Sequence, residues 1–340
     1  MFLSCGEALY DLFPSAETDT GFIFDARIGG SPFNVAVGLS RLGRRAALLC
    51  GLSSDPLGRR LERTLNDEGV DTTWLVSKQN PTTLALVGLG PRGVPHYSFY
   101  GHDAADCSVG EADLPDLPRS VTAIHFGSYS LVVEPTGSSL LQLAQRHHDG
   151  KLISFDPNLR LNVEPDVSRW RRRVEAFSEI ADLIKVSDED LELLFPGDEI
   201  DSAISRWNSR GVRLIVVTRG GDGARVSLRG EVFEAAGRTV EVVDTVGAGD
   251  SFQAALLCGL DELGKATKSG LSRVSPDECR RVVDFAMTAA AMTCTRRGAD
   301  LPRRSDLPNL QPPFLSALRG KRAKAPAEAR RMRVRKRGRT

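Results

Sequence analysis

Asp244-Thr-Val-Gly-Ala-Gly-Asp250-Ser-Phe-Gln-Ala-Ala-Leu-Leu257 is the stretch on which the reading of this chain turns. Gly247 and Gly249 flank one alanine, and Asp250 opens a run in which Phe252, Ala255, Leu256, Gly259 and Leu260 recur at helical spacing. That spacing predicts a helix beginning near Asp250. Small residues at Gly247, Ala248 and Gly249 let the N–H groups at the helix start point outward together. With the positive end of the helix dipole behind them, such groups make an anion hole. A carboxylate there repels a phosphate, but it is well placed to take a proton from a hydroxyl that attacks a phosphoryl group held just beyond it. Gly-Ala-Gly by itself is equally an ordinary turn with an acidic N-cap, so the rest of the chain must decide.

The 340 residues carry a formal net charge of +1 and are 41% hydrophobic, enough for a sizeable core. The length fits two domains or one large α/β domain with an appendage. Charge is unevenly spread: residues 319–340 hold eleven Lys/Arg and one Glu, which leaves residues 1–318 at −9. An acidic body gives no support to nucleic-acid binding by the body. The tail reads as a disordered, solvated extension, and any contact with nucleic acid or a membrane surface belongs to it. Six cysteines, at 5, 50, 107, 258, 279 and 294, are scattered without a Cys-x-x-Cys pair. Neither a zinc site nor a secreted disulfide framework follows from that spacing, and Cys50 and Cys258 read as core residues. Residues 1–10 lack a basic leader, and no apolar run reaches the length of a membrane span. A cytoplasmic protein without membrane insertion is expected.

Strand-like apolar runs at 46–51, 121–126, 151–156, 181–186 and 212–218 alternate with helical segments. Helices are expected to start at Ser31-Pro32, Asp55-Pro56 and Glu134-Pro135, with proline in the first turn, and Gly43 and Gly69 to end the first two. Strands separated by helices mean βαβ units and a mainly parallel sheet covered on both faces. Residues 21–28 and 82–100 break the alternation, the second folded at Pro91-Arg92-Gly93; these extended segments predict a small separate sheet, a lid on the larger one. A hairpin, 224–228 with 232–236, follows Thr218, and the Pro-rich stretch 302–313 is expected to end the folded part.

Two motifs fail on inspection. Gly259 to Lys265 has P-loop spacing, but Ala266 stands where Ser or Thr is needed for magnesium, and the segment ends a helix. Gly247-Ala-Gly249 lacks the third glycine of a dinucleotide fingerprint, since Phe252 occupies that place. The segment Ile28-Gly-Gly-Ser-Pro-Phe-Asn34 is different. Ser31 can cap the helix, Pro32 fits its first turn, and Asn34 offers an amide beside glycines that admit a polyol close to the backbone. His147 and His148, at a predicted helix end where positive charge suits the dipole, are given no chemistry.

Gly29-Gly-Ser-Pro-Phe-Asn34 and Asp244-Thr-Val-Gly-Ala-Gly-Asp250 resemble the two signature motifs of the PfkB (ribokinase-like) carbohydrate kinases. Gly6-Glu-Ala-Leu-Tyr-Asp11, Asp156-Pro-Asn-Leu-Arg160, Lys185-Val-Ser-Asp-Glu-Asp190, Thr218-Arg-Gly-Gly-Asp-Gly-Ala224 and Arg297-Gly-Ala299 follow the same family in the same order, so the likeness spans residues 1–302. Within the family it looks most like bacterial fructokinases. The resemblance implies an α/β ribokinase-like three-layer α/β/α sandwich over 1–318, with a small β-sheet lid near 10–30 and 80–110 and the tail at 319–340. It implies ATP-dependent transfer of the γ-phosphate to a primary hydroxyl of a small sugar, fructose first. Asp250 would be the base, and Gly247, Ala248 and Gly249 the anion hole. Asp11, Gly30, Ser31 and Asn34 would hold sugar hydroxyls, with Arg160 and the lid residues Tyr100 and Asp103 beside them. Tyr100, His102 and Asp103 stand where many fructokinases carry an arginine. Lys185, Thr218, Gly220 and Gly223 would meet the nucleotide. Ser187 and Asp190 replace the family's Asn and Glu, with Asp190 holding Mg²⁺ through water. Met287 would lie near the adenine, and Asp244 matches a position whose relatives bind K⁺. A homodimer through the lid is also in keeping with the resemblance. Other readings are a kinase for 2-keto-3-deoxygluconate, ribose or a nucleoside, and, from another class, a non-catalytic sugar-sensing relative, which would be expected to have lost Asp250 or its glycines.

Overall fold

The computed structural model describes residues 1–89 and 95–310; the turn expected at Pro91-Arg92-Gly93 and the basic tail lie outside the described residues. The chain divides into Met1–Pro308 and Asn309–Thr340, and of the second unit only residues 309 and 310 are described. In the first unit the strands are β1 (Phe2–Cys5), β2 (Leu9–Thr18), β3 (Gly21–Gly29), β4 (Ala46–Ser53), β5 (Leu75–Lys78), β6 (Thr83–Leu89), β7 (Pro95–Tyr100), β8 (Ala123–Gly127), β9 (Leu152–Asp156), β10 (Leu183–Ser187), β11 (Leu214–Thr218), β12 (Ala224–Leu228) and β13 (Glu231–Ala235). The helices are α1 (Ser31–Arg41), α2 (Pro56–Asp67), α3 (Thr136–His147), α4 (Val167–Ser178), α5 (Asp188–Leu194), α6 (Ile200–Ser209), α7 (Ala248–Glu262), α8 (Lys268–Leu271) and α9 (Pro276–Cys294).

The main sheet runs β13-β12-β11-β10-β9-β8-β1-β4-β5. Seven of its strands are parallel, as βαβ crossovers require, and the β12–β13 hairpin adds an antiparallel edge. Its alternating side chains divide the two faces. Leu3, Cys5, Ile124, Phe126, Ile153, Phe155, Ile184, Val186, Ile215 and Val217 share one core with Leu140 and Leu143 of α3, Trp170 and Phe177 of α4 and Trp207 of α6. Phe155 stacks on Phe177 with ring centroids 4.8 Å apart. The opposite face lies under α7, where Gln253 Nε2 donates to Ser154 Oγ at 2.8 Å. Helices on both faces make a three-layer α/β/α sandwich.

A second sheet, β3-β2-β6-β7, forms the lid. β2 follows β1 after three residues, so the lid grows directly from an interior strand of the main sheet, third from its β5 edge. The β2–β3 hairpin exposes Phe22 at 68% and Ile23 at 54%, while Phe99 packs edge-on against Tyr129 of the body.

Helix starts follow the sequence with two adjustments. Asp55 caps α2, accepting from Gly58 N–H at 2.7 Å. In α1, however, Gly30 is the cap and Ser31 the first helical residue, because Glu7, not Ser31, supplies the capping carboxylate. α3 begins one residue after Pro135. Gly43 and Gly69 follow their helices at φ 78 and 72, the left-handed geometry that ends a helix without a Cβ penalty. The Pro-rich segment stays packed beyond 302: Leu307 is buried, and Arg304 Nε pairs with Glu262 at 2.7 Å.

Candidate active site

The carboxyl ends of the parallel strands converge with the starts of α1 and α7, the place where open α/β sheets bind ligands. α7 begins at Ala248, two residues before the expected start, with Gly247 at φ 78 as its cap. Only glycine adopts that geometry cheaply, and a Cβ there would also meet Ala299 Cβ at 2.7 Å. Ala248 N–H is returned to Thr245 and Ser251 N–H to Gly247, while those of Gly247, Gly249 and Asp250 have no hydrogen bond among the described residues. Such orphan donors at a helix N-terminus are the material of an anion site. Lys185 Nζ stands 3.0 Å from where a Cβ of Gly249 would be, so an ammonium borders the same space.

Asp250, only 7% exposed, lies in the first turn of α7. Ser31 Oγ donates to its Oδ1 at 2.6 Å and Asn34 Nδ2 to its Oδ2 at 2.8 Å. Burial raises its pKa, and those two bonds together with the charges of Lys185 and Arg160 pull the other way. The two residues expected to hold the sugar therefore hold the carboxylate, and α1 and α7 are aligned to let them. Asn34 faces Asp250, a Cβ on Gly38 would lie 2.8 Å from Ala254 Cβ, and Cys258 Sγ approaches Leu42 O at 3.8 Å. Each step is four residues on both helices, so they run side by side in one direction with the Ser31–Asn34 turn against Asp250.

Asp11 of β2 has its Oδ2 2.5 Å from the Cβ position of Gly29, beside the Gly30 cap. Burial raises its pKa to about 6, with the charge of Arg160 opposing. The charge of Arg160 acts on both Asp11 and Asp250, while its own N–H groups donate to the carbonyls of Asn158 and Leu159. Tyr100 at 62% exposure and Asp103, paired with His102 at 3.0 Å, stand at the surface. No contact among the described residues joins them to the Asp250 cluster.

Among the residues expected to meet the nucleotide, Lys185 Nζ donates to Asp156 Oδ2 at 2.9 Å, both groups buried. Burial raises Asp156 to about 6 against the pull of Lys185, and its Oδ1 is buried without a hydrogen-bond partner among the described residues. Ser187 caps α5, accepting from Asp190 N–H at 3.0 Å, and Asp190 Oδ1 accepts from Leu159 N–H at 3.1 Å. Thr218 ends β11 in register with Ser187 and donates to Val186 O at 3.3 Å. Gly220 faces open space, whereas a Cβ on Gly223 would strike the carbonyl of Ala235. Met287 is buried in α9. Asp244 accepts from Val246 N–H at 3.1 Å and Gly298 N–H at 2.8 Å, tying the glycine loop before α7 to the segment Arg297-Gly-Ala299.

Sequence reasoning gave no role to Glu7, in the link that follows β1, or to Asp156, at the end of β9. A charge in an apolar run was the available signal, since burial of that kind demands a partner.

Comparison with known proteins matches residues 2–306 to the pfkB family carbohydrate kinase description. A fructokinase of Rhizobium leguminosarum bv. trifolii is 34% identical over 304 residues, covering 89% of this chain and 91% of that protein. A fructokinase of Escherichia coli is 33% identical over 311 residues, covering 89% and 96%. Among solved structures, a fructokinase with bound ATP from Xylella fastidiosa superposes with a TM-score of 0.82 at 26% identity, covering 94% of this chain and 98% of that one. A fructokinase double mutant from Vibrio cholerae O395, bound to fructose, ADP and potassium ion, gives a TM-score of 0.75 at 28% identity over 88% and 93%. With a buried carboxylate in a first helical turn whose N–H groups are left open, and this likeness along nearly all of its described length, the chain belongs to the pfkB family of carbohydrate kinases, which makes it an ATP-dependent sugar kinase.

Proposed function

We propose that the chain transfers the γ-phosphate of ATP to a primary hydroxyl of fructose and that Asp250 is the base. The observation that carries this is a buried carboxylate in the first turn of α7, beside three N–H groups without hydrogen bonds among the described residues. The sugar hydroxyl passes its proton to Asp250 as its oxygen bonds the γ-phosphorus, and the bond from that phosphorus to the bridging oxygen of ADP breaks. Burial makes the carboxylate a better base. The N–H groups of Gly247, Gly249 and Asp250 and the ammonium of Lys185 meet the charge on the transferred group. Mg²⁺, when bound, offsets charge on the phosphates of ATP. An oxygen-only donor set suits it; Asp190 would hold it through water, and the unpartnered Oδ1 of Asp156 is a second acceptor in the same neighbourhood. Thr218, Gly220 and Gly223 offer bare backbone to the nucleotide. Asp244 would serve K⁺ as counter-ion, since a carboxylate with one N–H on each oxygen keeps lone pairs to spare.

Asp11, whose carboxylate has no hydrogen bond among the described residues and whose pKa burial raises, is the best-placed acceptor for a sugar hydroxyl. An exposed Arg160, whose charge acts on both Asp11 and Asp250, favours one second reading, a sugar acid such as 2-keto-3-deoxygluconate, whose carboxylate it would meet. A coupled ADP-release assay on fructose, glucose, ribose, a nucleoside and that sugar acid, with and without K⁺, separates the readings. Leaving one hydroxyl unmatched costs roughly 1–3 kcal/mol, so fructose should lead by about 5- to 150-fold in kcat/KM. Equal rates on all three sugars, or preference for the acid, would overturn fructose as substrate. The free cysteines, five of the six buried, support a reducing, cytoplasmic setting. The exposed Phe22 and Ile23 support pairing of two copies through the lid, which sedimentation reads directly.

A further inference from the structure

Glu7 lies in the three-residue link between β1 of the main sheet and β2 of the lid, and its carboxylate is buried. Its Oε1 accepts from Ser31 N–H at 3.1 Å, and its Oε2 from Ser130 Oγ at 2.6 Å. α1 has no side-chain cap from Gly30, so Glu7 takes the role from a distant part of the chain. The backbones are pressed together at the same point. A Cβ on Gly30 would lie 2.6 Å from Glu7 O, one on Gly6 would collide with Pro32 and Ser130, and Ser4 Oγ donates to Pro32 O at 2.8 Å. Ser31, whose N–H is held by Glu7, is the residue whose hydroxyl holds Asp250.

We propose that Glu7 is a positioning residue for phosphoryl transfer: it fastens the first turn of α1 so that Ser31 and Asn34 present both their hydrogen bonds to Asp250. It touches no reacting atom. A buried glutamate reaching across 24 residues of sequence to one amide fixes an angle that α1 alone does not fix. The link to the lid follows from its place in the chain, since any strain on the β1–β2 connection passes through the residue that anchors α1.

This inference rests on Asp250 as base, so the experiment measures both. Glu7→Gln keeps length and acceptor, whereas Glu7→Asp keeps the charge but withdraws it by one methylene. A fixed geometry predicts that Glu7→Asp lowers kcat by ~10-fold while KM for sugar and ATP changes less than about twofold. Glu7→Gln should stay within about threefold of the wild type. The reverse order would show that the charge acts and the position does not; no effect of either variant, or equal loss in both, would also sink the idea. Ser130→Ala, which frees Oε2 only, should lower kcat in the same direction and carries the test if Glu7→Asp does not fold by near-UV circular dichroism. An unchanged kcat in that variant then counts against Glu7. Asp250→Asn is assayed in parallel. Retained turnover there removes the base itself, whereas its loss alongside a normal Glu7→Asp enzyme removes only the positioning role.

Discussion

Asp250 combines three opposed influences on one carboxylate. Burial, the largest, raises its pKa; the bonds from Ser31 and Asn34 lower it, and the cations Lys185 and Arg160 add to that lowering. A base must be ionised, so turnover should fall as pH drops through the raised value, with an acid limb above the ordinary carboxylate range near ~4. Asp250→Asn should lose at least ~10²-fold in kcat and with it that limb, while sugar affinity changes little. Near-wild-type turnover of the purified variant removes Asp250 from the mechanism. Stability has the opposite sense. A carboxyl with a raised folded pKa binds its proton more tightly when folded, so its contribution to stability falls as pH rises from the ordinary value through the raised one. The Asn variant should therefore melt no lower than the wild type at pH 8, and its advantage should shrink on acidification. A variant that melts lower at pH 8 than at pH 4, relative to wild type, contradicts that sign. Gly247, Gly249 and Asp250 were legible in the sequence because their chemistry is local. Glu7 and Asp156 were not, because their partners lie 24, 123 and 29 residues away.

The α1–α7 pair is the element on which the site depends. Gly38 permits the close approach: an added Cβ would stand 2.6 Å from Leu301 Cδ2 and 2.8 Å from Ala254 Cβ. Helix propensity favours Ala over Gly by about 1 kcal/mol, but overpacking at a rigid neighbour costs typically 1–3 kcal/mol, so the clash should win. Gly38→Ala is expected to melt lower and to lose kcat, because α1 can yield only by moving Asn34 away from Asp250. A variant with a raised Tm and full activity would show that α1 and α7 have slack at this crossing. Both helices were expected from periodicity and from Pro32 and Asp250. Their pairing was not, since Gly38 and Ala254 read equally as ordinary helix residues until the two are adjacent.

At the scale of the molecule, residues 1–308 form one unit, and no helix among the described residues is long and apolar enough to cross a membrane. The tail beyond Leu318, with its +10 charge and no apolar periodicity, has little to bury. Truncation after Leu318 should leave sugar phosphorylation within about twofold and Tm nearly unchanged; a marked loss of either would show that the tail docks on the body. By itself the sequence determined the α/β alternation, the mainly parallel sheet, the hairpin after Thr218, the lid as a separate sheet, and the glycine loop that opens a helix with a carboxylate in its first turn. Those features depend on periodicity, glycine geometry and local charge, which act over a few residues. Tertiary structure alone decided that β1 is an interior strand, that Ser31 and Asn34 hold Asp250, and that Glu7 caps α1. Each of these is a matter of which distant groups share one small volume. Chain topology and close packing fix that, and no local pattern encodes it.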